Sequence, residues 1–432
     1  GKRVRLAHSG RCGMIDSSPF QMKLAGQHLA GSKDDPMFKL RQKAWDAFAD
    51  KGLPTKKTET YKYVKLRKLF ELDFQAAKAE KRDVKEWIYP ECEHSNIVFI
   101  NGHFEPELSR LPEGVDIQPL SEAIFSFGTF LNNQWMKTVK EETDPFALLN
   151  SALFSEGALI YISPNTQLEK PLQLLFVTTE ENGMATPRVE LFLGKSSEAK
   201  LVSRHVGLNK SGLSNLFTNC HLEANAKLSY TQVATENQGW LFDATRAHLK
   251  KDARFETQMA TAGSETTRFD YQIEVAGEGA DCHLNGLWML KETNEAHVHV
   301  LMKHSVPNTT SLQLFKGALD GASRSSFEGK IYVEKEAQKT DSYQMNNNLI
   351  LSDNAQANSK PNLEIFADDV KASHGSTVGQ LDPEELFYLR TRGYSEQEAK
   401  TILTKGFLRE VLTKIPLASV REKVIRQSDN FL

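Results

Sequence analysis

The side chains best able to do chemistry in this 432-residue chain are its 12 histidines and four cysteines. Cys12, Cys92, Cys220 and Cys282 are too widely spread for a zinc ribbon or a self-contained four-cysteine cluster site, whose ligands recur within a few residues. In HVHVLMKH, His297 and His299 share one strand face, with His304 beyond, and imidazoles two apart on a strand can chelate a transition metal. An outer polar face is the better expectation for them, because no cysteine or carboxylate nearby in sequence completes a ligand set. His374 lies in NLEIFADDVKASHGSTVG, residues 362–379. There Leu363, Ile365 and Ala367 alternate with Glu364, Phe366 and Asp368, which predicts a strand, and the segment is expected to break at Ser373-His374-Gly375. Polar residues at a strand end are where a scaffold presents chemistry, although spacing alone equally describes a charged turn closing a sheet. Asp368 and Asp369 could be proposed as a carboxylate pair for polysaccharide cleavage, but adjacent strand residues face opposite ways.

The elements that must position these residues are set by an internal repeat. Ala199, Ala226, Ala253 and Ala280 follow one another at intervals of 27, 27 and 27, each in a polar turn leading into a β-rich run such as AKLSYTQVA. Equal spacing means that one supersecondary unit is stacked, and the lack of helical periodicity favours two or three short strands per unit. The leucine-rich repeat has a similar length, but its signature is missing. Residues 157–379 therefore read as a parallel β-helix, with the small alanine allowing a tight corner. Later turn-like alanines, Ala322, Ala337, Ala355 and Ala372, are spaced by 15, 18 and 17, so either the later coils are shorter or the marker falls on one side of each turn. His221 and His248 are 27 apart and should occupy equivalent positions on adjacent coils. Metal binding is conceivable there, but two stacked surface histidines are expected.

Helical regions flank the repeat. From about Asp34 to Lys85 the pattern is helical, with Phe38, Leu40, Ala44, Trp45 and Phe48 on one face and a stop at Gly52-Leu53-Pro54. The segment that follows carries Lys56, Lys57, Lys62, Lys65, Arg67 and Lys68 with Tyr61 and Tyr63. It suits either a polyanion or a solvated helix face, and the acids that follow favour the solvated face. NIVFINGHF reads as a strand and an Asn-Gly turn, and 121–153 as helical with Asp144-Pro145-Phe146 as a start signal. After Gly379, Asp382-Pro383-Glu384-Glu385 opens a helix that Gly393 ends. Ser395 and Glu398 form a capping box for the next, which carries Ala399, Ile402, Leu403, Phe407, Val411 and Leu412. Phe387, Tyr388 and Leu389 beside Arg390 and Arg392 make an aromatic-basic face that docks on the β-helix or on a partner. The organisation is thus a mainly helical region over 1–156, with 1–13 as upstream or non-native residues and Met14 as a plausible start, then the β-helix, then a helical domain over 380–432.

Composition narrows the function. With net charge −3, 25% charged and 40% hydrophobic residues, the chain has no global basic field for nucleic acid. No run approaches the roughly 18 apolar residues of a membrane span. Sparse cysteine and no recognisable export signal favour the cytoplasm. No Walker loop, dinucleotide fingerprint, nucleophile elbow or His-Glu-x-x-His motif is present. A β-helix carbohydrate-active enzyme stays open as an alternative.

PNLEIFADDVKASHGSTVGQLDPEELFYLRTRGYSEQEAKTILTKGFLREVL, residues 361–412, resembles the C-terminal signature of the SufB/SufD family of iron–sulfur cluster assembly proteins. GLPTKKTETYKYVKLRKLF, residues 52–70, is similar to the N-terminal helical segment of the SufD branch. The resemblance implies a right-handed parallel β-helix between helical regions, and a scaffold without turnover of its own. Such a scaffold works with a SufB-like subunit and two copies of the ATPase SufC. It implies that the last coils pair with SufB, or with a second copy of the chain when isolated. It also implies that the helices of 383–412 dock the ATPase, through Phe387, Tyr388, Arg390, Arg392, Gly393 and Phe407. His374 matches the histidine that the SufD branch contributes at the SufB interface. Iron or a nascent cluster is expected to bind there through a neutral imidazole, with no cofactor held tightly by the isolated chain. Some members carry cysteine where Ala372 stands, so a thiolate ligand from this chain is not expected. A SufB-like, cluster-carrying homologue would need such a cysteine.

Overall fold

The computed structural model describes residues 35–154 and 156–431, with Phe20, Lys23, Leu24 and Gly26 before them. The expectations for residues 1–13 and for Cys12 lie outside the described residues.

From Gly157 to Gly379 the chain winds as a solenoid whose successive strands alternate between two sheets, except that the short Gly183–Ala185 and the following Arg188–Leu193 share one. One sheet runs from Gly157–Ile162 to Gln356–Ile365 and the other from Leu172–Thr178 to Lys371–Gly379, eight strands in each. Neighbours within these two sets are parallel throughout. Two strands therefore make one coil, and the protein is a parallel β-helix flanked by helices.

The register explains the alanines and corrects part of the repeat. Lys227, Arg254 and Asp281 are cross-strand partners at a pitch of 27, so Ala226, Ala253 and Ala280 occupy one corner. Each is buried and follows a residue at positive φ: Asn225 (58°), Asp252 (55°) and Gly279 (76°). Asparagine, aspartate and glycine tolerate this left-handed corner, and the small residue behind it lets the coils approach. Ala199, however, pairs with Leu228, 29 residues on, and sits inside a strand. Its true counterpart at the corner is Ser197, whose carbonyl receives the Lys227 amide. The later coils are longer, not shorter: Asp281 pairs with Thr310, Thr310 with Asp341 and Arg324 with Gln356, offsets of 29, 31 and 32. Ala322, Ala337 and Ala355 precede strands of alternate sheets and so mark both turns of each coil.

Strands before residue 157 extend both sheets. Asn96–Ile100 runs parallel to Leu172–Thr178 and folds back through Asn101 (φ 53°) and Gly102 (φ 83°) into His103–Phe104, the expected Asn-Gly hairpin. Val115–Pro119 lies antiparallel to Gly157–Ile162. The helices α1 (Phe38–Lys51), α2 (Arg67–Glu71), α3 (Leu120–Ser126), α4 (Gly128–Glu141) and α5 (Pro145–Leu153) accompany them. Asp144 caps α5, its Oδ1 accepting from the amides of Phe146 and Ala147 at 2.9 and 3.0 Å. These helices bury Trp45, Phe48, Phe146 and Leu149 against Trp240 and Phe242 on the outer face of the first sheet. The Phe146 and Phe242 rings stack at 3.9 Å.

The expected second helical stretch shrinks to the short turn Glu59–Tyr61 and the five-residue α2. Tertiary contacts override the local pattern: Lys65 reaches Glu295 at 3.1 Å, Glu59 pairs with Lys360, and Arg268 lies 4.1 Å over the Tyr61 ring. Part of the basic segment is thus pinned to acids of the solenoid.

After the last strand come α6 (Pro383–Thr391), α7 (Glu396–Leu412) and α8 (Ala418–Asp429). The Ser395–Glu398 capping box forms. Leu408, Val411, Val420 and Val424 pack with Val233, Ala260 and Leu287 on the outer face of the second sheet. Polar ties add to this contact: Lys316 with Glu410 at 2.8 Å, and Lys423 with Glu236 at 2.8 Å.

Candidate functional site

The strands Gln356–Ile365 and Lys371–Gly379 end their sheets, and among the described residues each has a sheet neighbour on one side alone. At the other end the sheets are continued by Val115–Pro119, antiparallel to its neighbour, and by the hairpin, whereas among the described residues no strand follows Gln356–Ile365 or Lys371–Gly379 in either sheet. The sequence places a break at Ser373-His374-Gly375, but these residues lie inside the last strand, and the chain turns earlier, at residues 366–370. Asp368 and Asp369 sit in that turn, both exposed.

His374 is cross-strand partner to Gln344, and Ala372 to Ser342. Gln344 is fully buried, while the intervening Met345 packs towards the C-terminal helices, so the row 342, 344, 346, 348 faces the lumen. His374 continues that inward row on the final strand, yet it is exposed because no further coil covers it. Among the described residues no three His, Cys, Asp or Glu side chains gather to hold a metal ion. The described cysteines are buried and distant; burial pushes the Cys92 thiol up to about 12 and raises Cys220 and Cys282 as well.

The other histidines are engaged elsewhere. His221 and His248 are cross-strand partners, as the spacing requires. His221 stacks on Phe192 with ring centroids 4.3 Å apart, and His248 Nδ1 lies 2.8 Å from Glu274. That hydrogen bond holds the Glu274 carboxyl down at about 2. His297 and His299 do face outward from the first sheet, but they are buried beneath the N-terminal region rather than solvated. Carboxylates do meet them: Glu295, two residues before His297, lies 3.2 Å from its Nε2, and Asp270 on the neighbouring strand lies 2.8 Å from His299 Nδ1. Burial, only partly offset by Glu295, lowers the His297 pKa. His304 points inward, held by Thr309 and Ser311, and burial lowers it to about 4.

A second surface lies on the C-terminal helices. Asp382 caps α6, its Oδ1 accepting from the Glu384 amide at 2.8 Å. No residue of α6 is buried. Phe387 and Tyr388 are 68% and 57% exposed, beside a groove of about 910 Å³ lined by Pro383, Glu384, Leu389, Ile402 and Leu403. Arg392 sits 5.1 Å from the Tyr388 ring, Arg390 is exposed, and Gly393 (φ 96°) ends the helix. Phe407 stands apart: it packs on the solenoid side, where its carbonyl accepts from Lys316 at 3.1 Å. The buried face of α7 is Ala399, Thr404, Leu408, Val411 and Leu412, leaving Ile402 for the groove, a rotation from the face expected from sequence. The terminal helices thus dock on the solenoid through one face and leave another open. Sequence reasoning missed Gln344 beneath His374; the alternation Ser342, Gln344, Asn346, Asn348 was the available signal.

The protein is thus a two-sheet parallel β-solenoid that ends on two parallel strands, with an apolar-lined groove on the helices that follow them. A family model described as SUF system FeS cluster assembly, SufBD core domain, matches residues 176–407, and one described as SufBD protein N-terminal region matches 23–174. The chain is 30% identical over 417 residues to the iron–sulfur cluster assembly SufBD family protein slr0076 of Synechocystis, covering 92% of this chain and 91% of that protein. It is 29% identical over 392 residues to the iron–sulfur cluster assembly protein SufD of Escherichia coli, with 87% and 88% covered. Protein ABCI7, chloroplastic, of Arabidopsis thaliana is 25% identical over 440 residues, with 94% and 90% covered. The chain belongs to the SufBD family, is SufD-like, and has a role in iron–sulfur cluster assembly. Among the described residues no helix is long and apolar enough to cross a membrane.

Proposed function

We propose that this chain is the SufD-type scaffold subunit of a SufBCD complex, without turnover of its own, and that iron or a nascent cluster is its cargo. The observation that carries this reading is the open end of the solenoid with His374 exposed on the inward row of its last strand. A free parallel edge offers unpaired N–H and C=O groups, and a second solenoid adding strands there satisfies them. The occupant is a SufB-like subunit, or a second copy of this chain when isolated. His374 then lies at the seam, its neutral imidazole acting as one ligand to the cargo and the partner supplying the rest. The groove beside Phe387 and Tyr388 receives the SufC-like ATPase, with Arg390 and Arg392 close by in the chain.

Co-expression with a SufB and a SufC yields a stable complex on this reading, and His374→Ala leaves assembly intact while lowering its iron. A chain that elutes alone, or normal iron–sulfur content in the His374→Ala complex, overturns it.

A further inference from the structure

The lumen beneath His374 is polar where a solenoid core is ordinarily apolar. In the strand Asp341–Ile350 the inward row reads Ser342, Gln344, Asn346, Asn348, each buried. Such groups are costly to bury unless bonded, and most of this row is. Asn348 donates to Asn346 at 2.9 Å, and Gln344 Nε2 donates to Gln313 Oε1 on the coil below at 2.9 Å. Gln344 Oε1, however, is buried and has no hydrogen-bond partner. The carboxamide is held by two features. Gln313 pins its nitrogen end, and it lies flat on bare backbone at Gly329 of the facing sheet, where an added Cβ would stand 2.2 Å from Nε2 and 2.9 Å from Oε1. With Nε2 anchored on the coil below, Oε1 is the free acceptor of this carboxamide, and among the described residues the only coil above it is the last one. The residue in register there is His374, one strand spacing away, about 4.8 Å.

We infer that Gln344 is a positioning residue for His374: once a metal engages the ring, the Gln344 Oε1 that is unpartnered in the free chain accepts a hydrogen bond from one imidazole N–H and aims the other ring nitrogen, as an acceptor, out of the open end. This deepens the proposed function and rests on His374 being the ligand. A metal-binding imidazole needs its second nitrogen held by an acceptor to fix the tautomer and ring orientation. The stack Gln313–Gln344–His374 supplies that acceptor from within the chain, so the partner need only approach the outward nitrogen.

The test uses Cu²⁺ alone as a probe on the full chain, with the His374→Ala chain subtracted to isolate the His374 signal. Electron spin-echo envelope modulation reads the quadrupole coupling of the remote imidazole nitrogen, which falls as its N–H donates a stronger hydrogen bond. Gln344→Leu should raise that coupling toward the value of a free, solvated imidazole, and Gln344→Glu, a stronger acceptor, should lower it below wild type. In the co-expressed complex, Gln344→Leu should weaken Fe²⁺ binding about tenfold, and Gln344→Glu should restore it. An unchanged coupling in both variants overturns the inference even when one of them folds poorly, because the two shifts have opposite sign. Normal iron in the His374→Ala complex sinks the site reading itself. Lost iron in His374→Ala with wild-type spectra and affinity in Gln344→Leu sinks the role of Gln344 alone.

Discussion

Replacing Glu142 by glutamine isolates the contact that fastens the N-terminal helices to the solenoid. Glu142 and Arg246 are 2% and 8% exposed. The Arg246 guanidinium donates twice to the carboxylate, Nε to Oε2 and Nη2 to Oε1, each at 2.8 Å. Glu142 Oε1 also accepts the amides of Thr143 and Asp144, at 3.0 and 2.8 Å, just ahead of the α5 cap. Burial would lower the Arg246 pKa, but Glu142 and Asp270 outweigh it and hold the guanidinium above its ordinary value. Glutamine keeps the shape, removes the charge and turns an N–H₂ toward a donor. One charge-assisted hydrogen bond is lost outright, at about 1.5–3 kcal/mol, and the other, now to a neutral oxygen, is weakened. Asp270, 2.8 Å from Arg246 Nη1, still compensates part of the charge, so a net loss of about 3 kcal/mol is expected. The double variant Glu142→Gln with Arg246→Met removes the stranded cation and should cost less than the sum of the single changes by about 2 kcal/mol. Urea titration gives the stabilities, and native-state hydrogen exchange of α1 and α5 shows whether the loss is local. A single-variant cost below about 1 kcal/mol, or strict additivity in the double variant, would refute the reasoning.

Two further outcomes follow from particular side chains. His304 is neutral when folded, with its pKa lowered by burial to about 4, whereas the unfolded chain titrates near 6.5. The unfolded state therefore binds more protons between these values. Stability is full above about pH 6.5, falls by about 3 kcal/mol as the pH drops to about 4 and is flat below that for this group. His304→Gln should flatten that part of a stability–pH curve, and an unaltered slope would contradict the assignment. On α6, where no residue is buried, the pair Phe387→Ser and Tyr388→Ser should leave the melting temperature unchanged and weaken capture of the proposed SufC-like partner at least about tenfold. Unchanged capture would move the docking surface elsewhere.

Much of the fold was legible because solenoid physics is written locally. The corner alanines, the Asn-Gly hairpin, the Asp144 cap and the Ser395–Glu398 box each depend on residues a few positions apart. What stayed hidden depends on contacts between distant residues. The 27-residue spacing from Ala199 to Ala226 matched the pitch by coincidence, since side-chain spacing cannot reveal a turn whose corner residue is serine. The segment 54–72 has a helix-like composition, but Tyr61, Lys65 and Glu59 each find a solenoid partner, in Arg268, Glu295 and Lys360, which keeps the backbone mostly irregular. His297 and His299 are on the outward face predicted for them, yet an N-terminal layer covers that face, and a single strand's periodicity cannot register a second layer. His374 was legible as a residue; its place on the inward row above Gln344 needed the register.

The two ends of the solenoid obey different requirements, which is why the candidate site lies at one of them. At the N-terminal end the sheets finish on the five-residue antiparallel strand Val115–Pro119 and the two-residue hairpin arm His103–Phe104, and short edges of this kind limit edge-to-edge association. At the other end the last strand has no buried residue at all, and the exposed side chains near it include Phe366 and Val378. A coil with this little burial gains little hydrophobic stabilisation from its own chain and is held mainly by its backbone ladder to the strand Asp341–Ile350. An edge left open for a partner and an inward-facing imidazole at its centre have one physical cause. Stopping the solenoid after Gly379 exposes both a backbone edge able to pair with a further strand and the ring of His374 on the inward row.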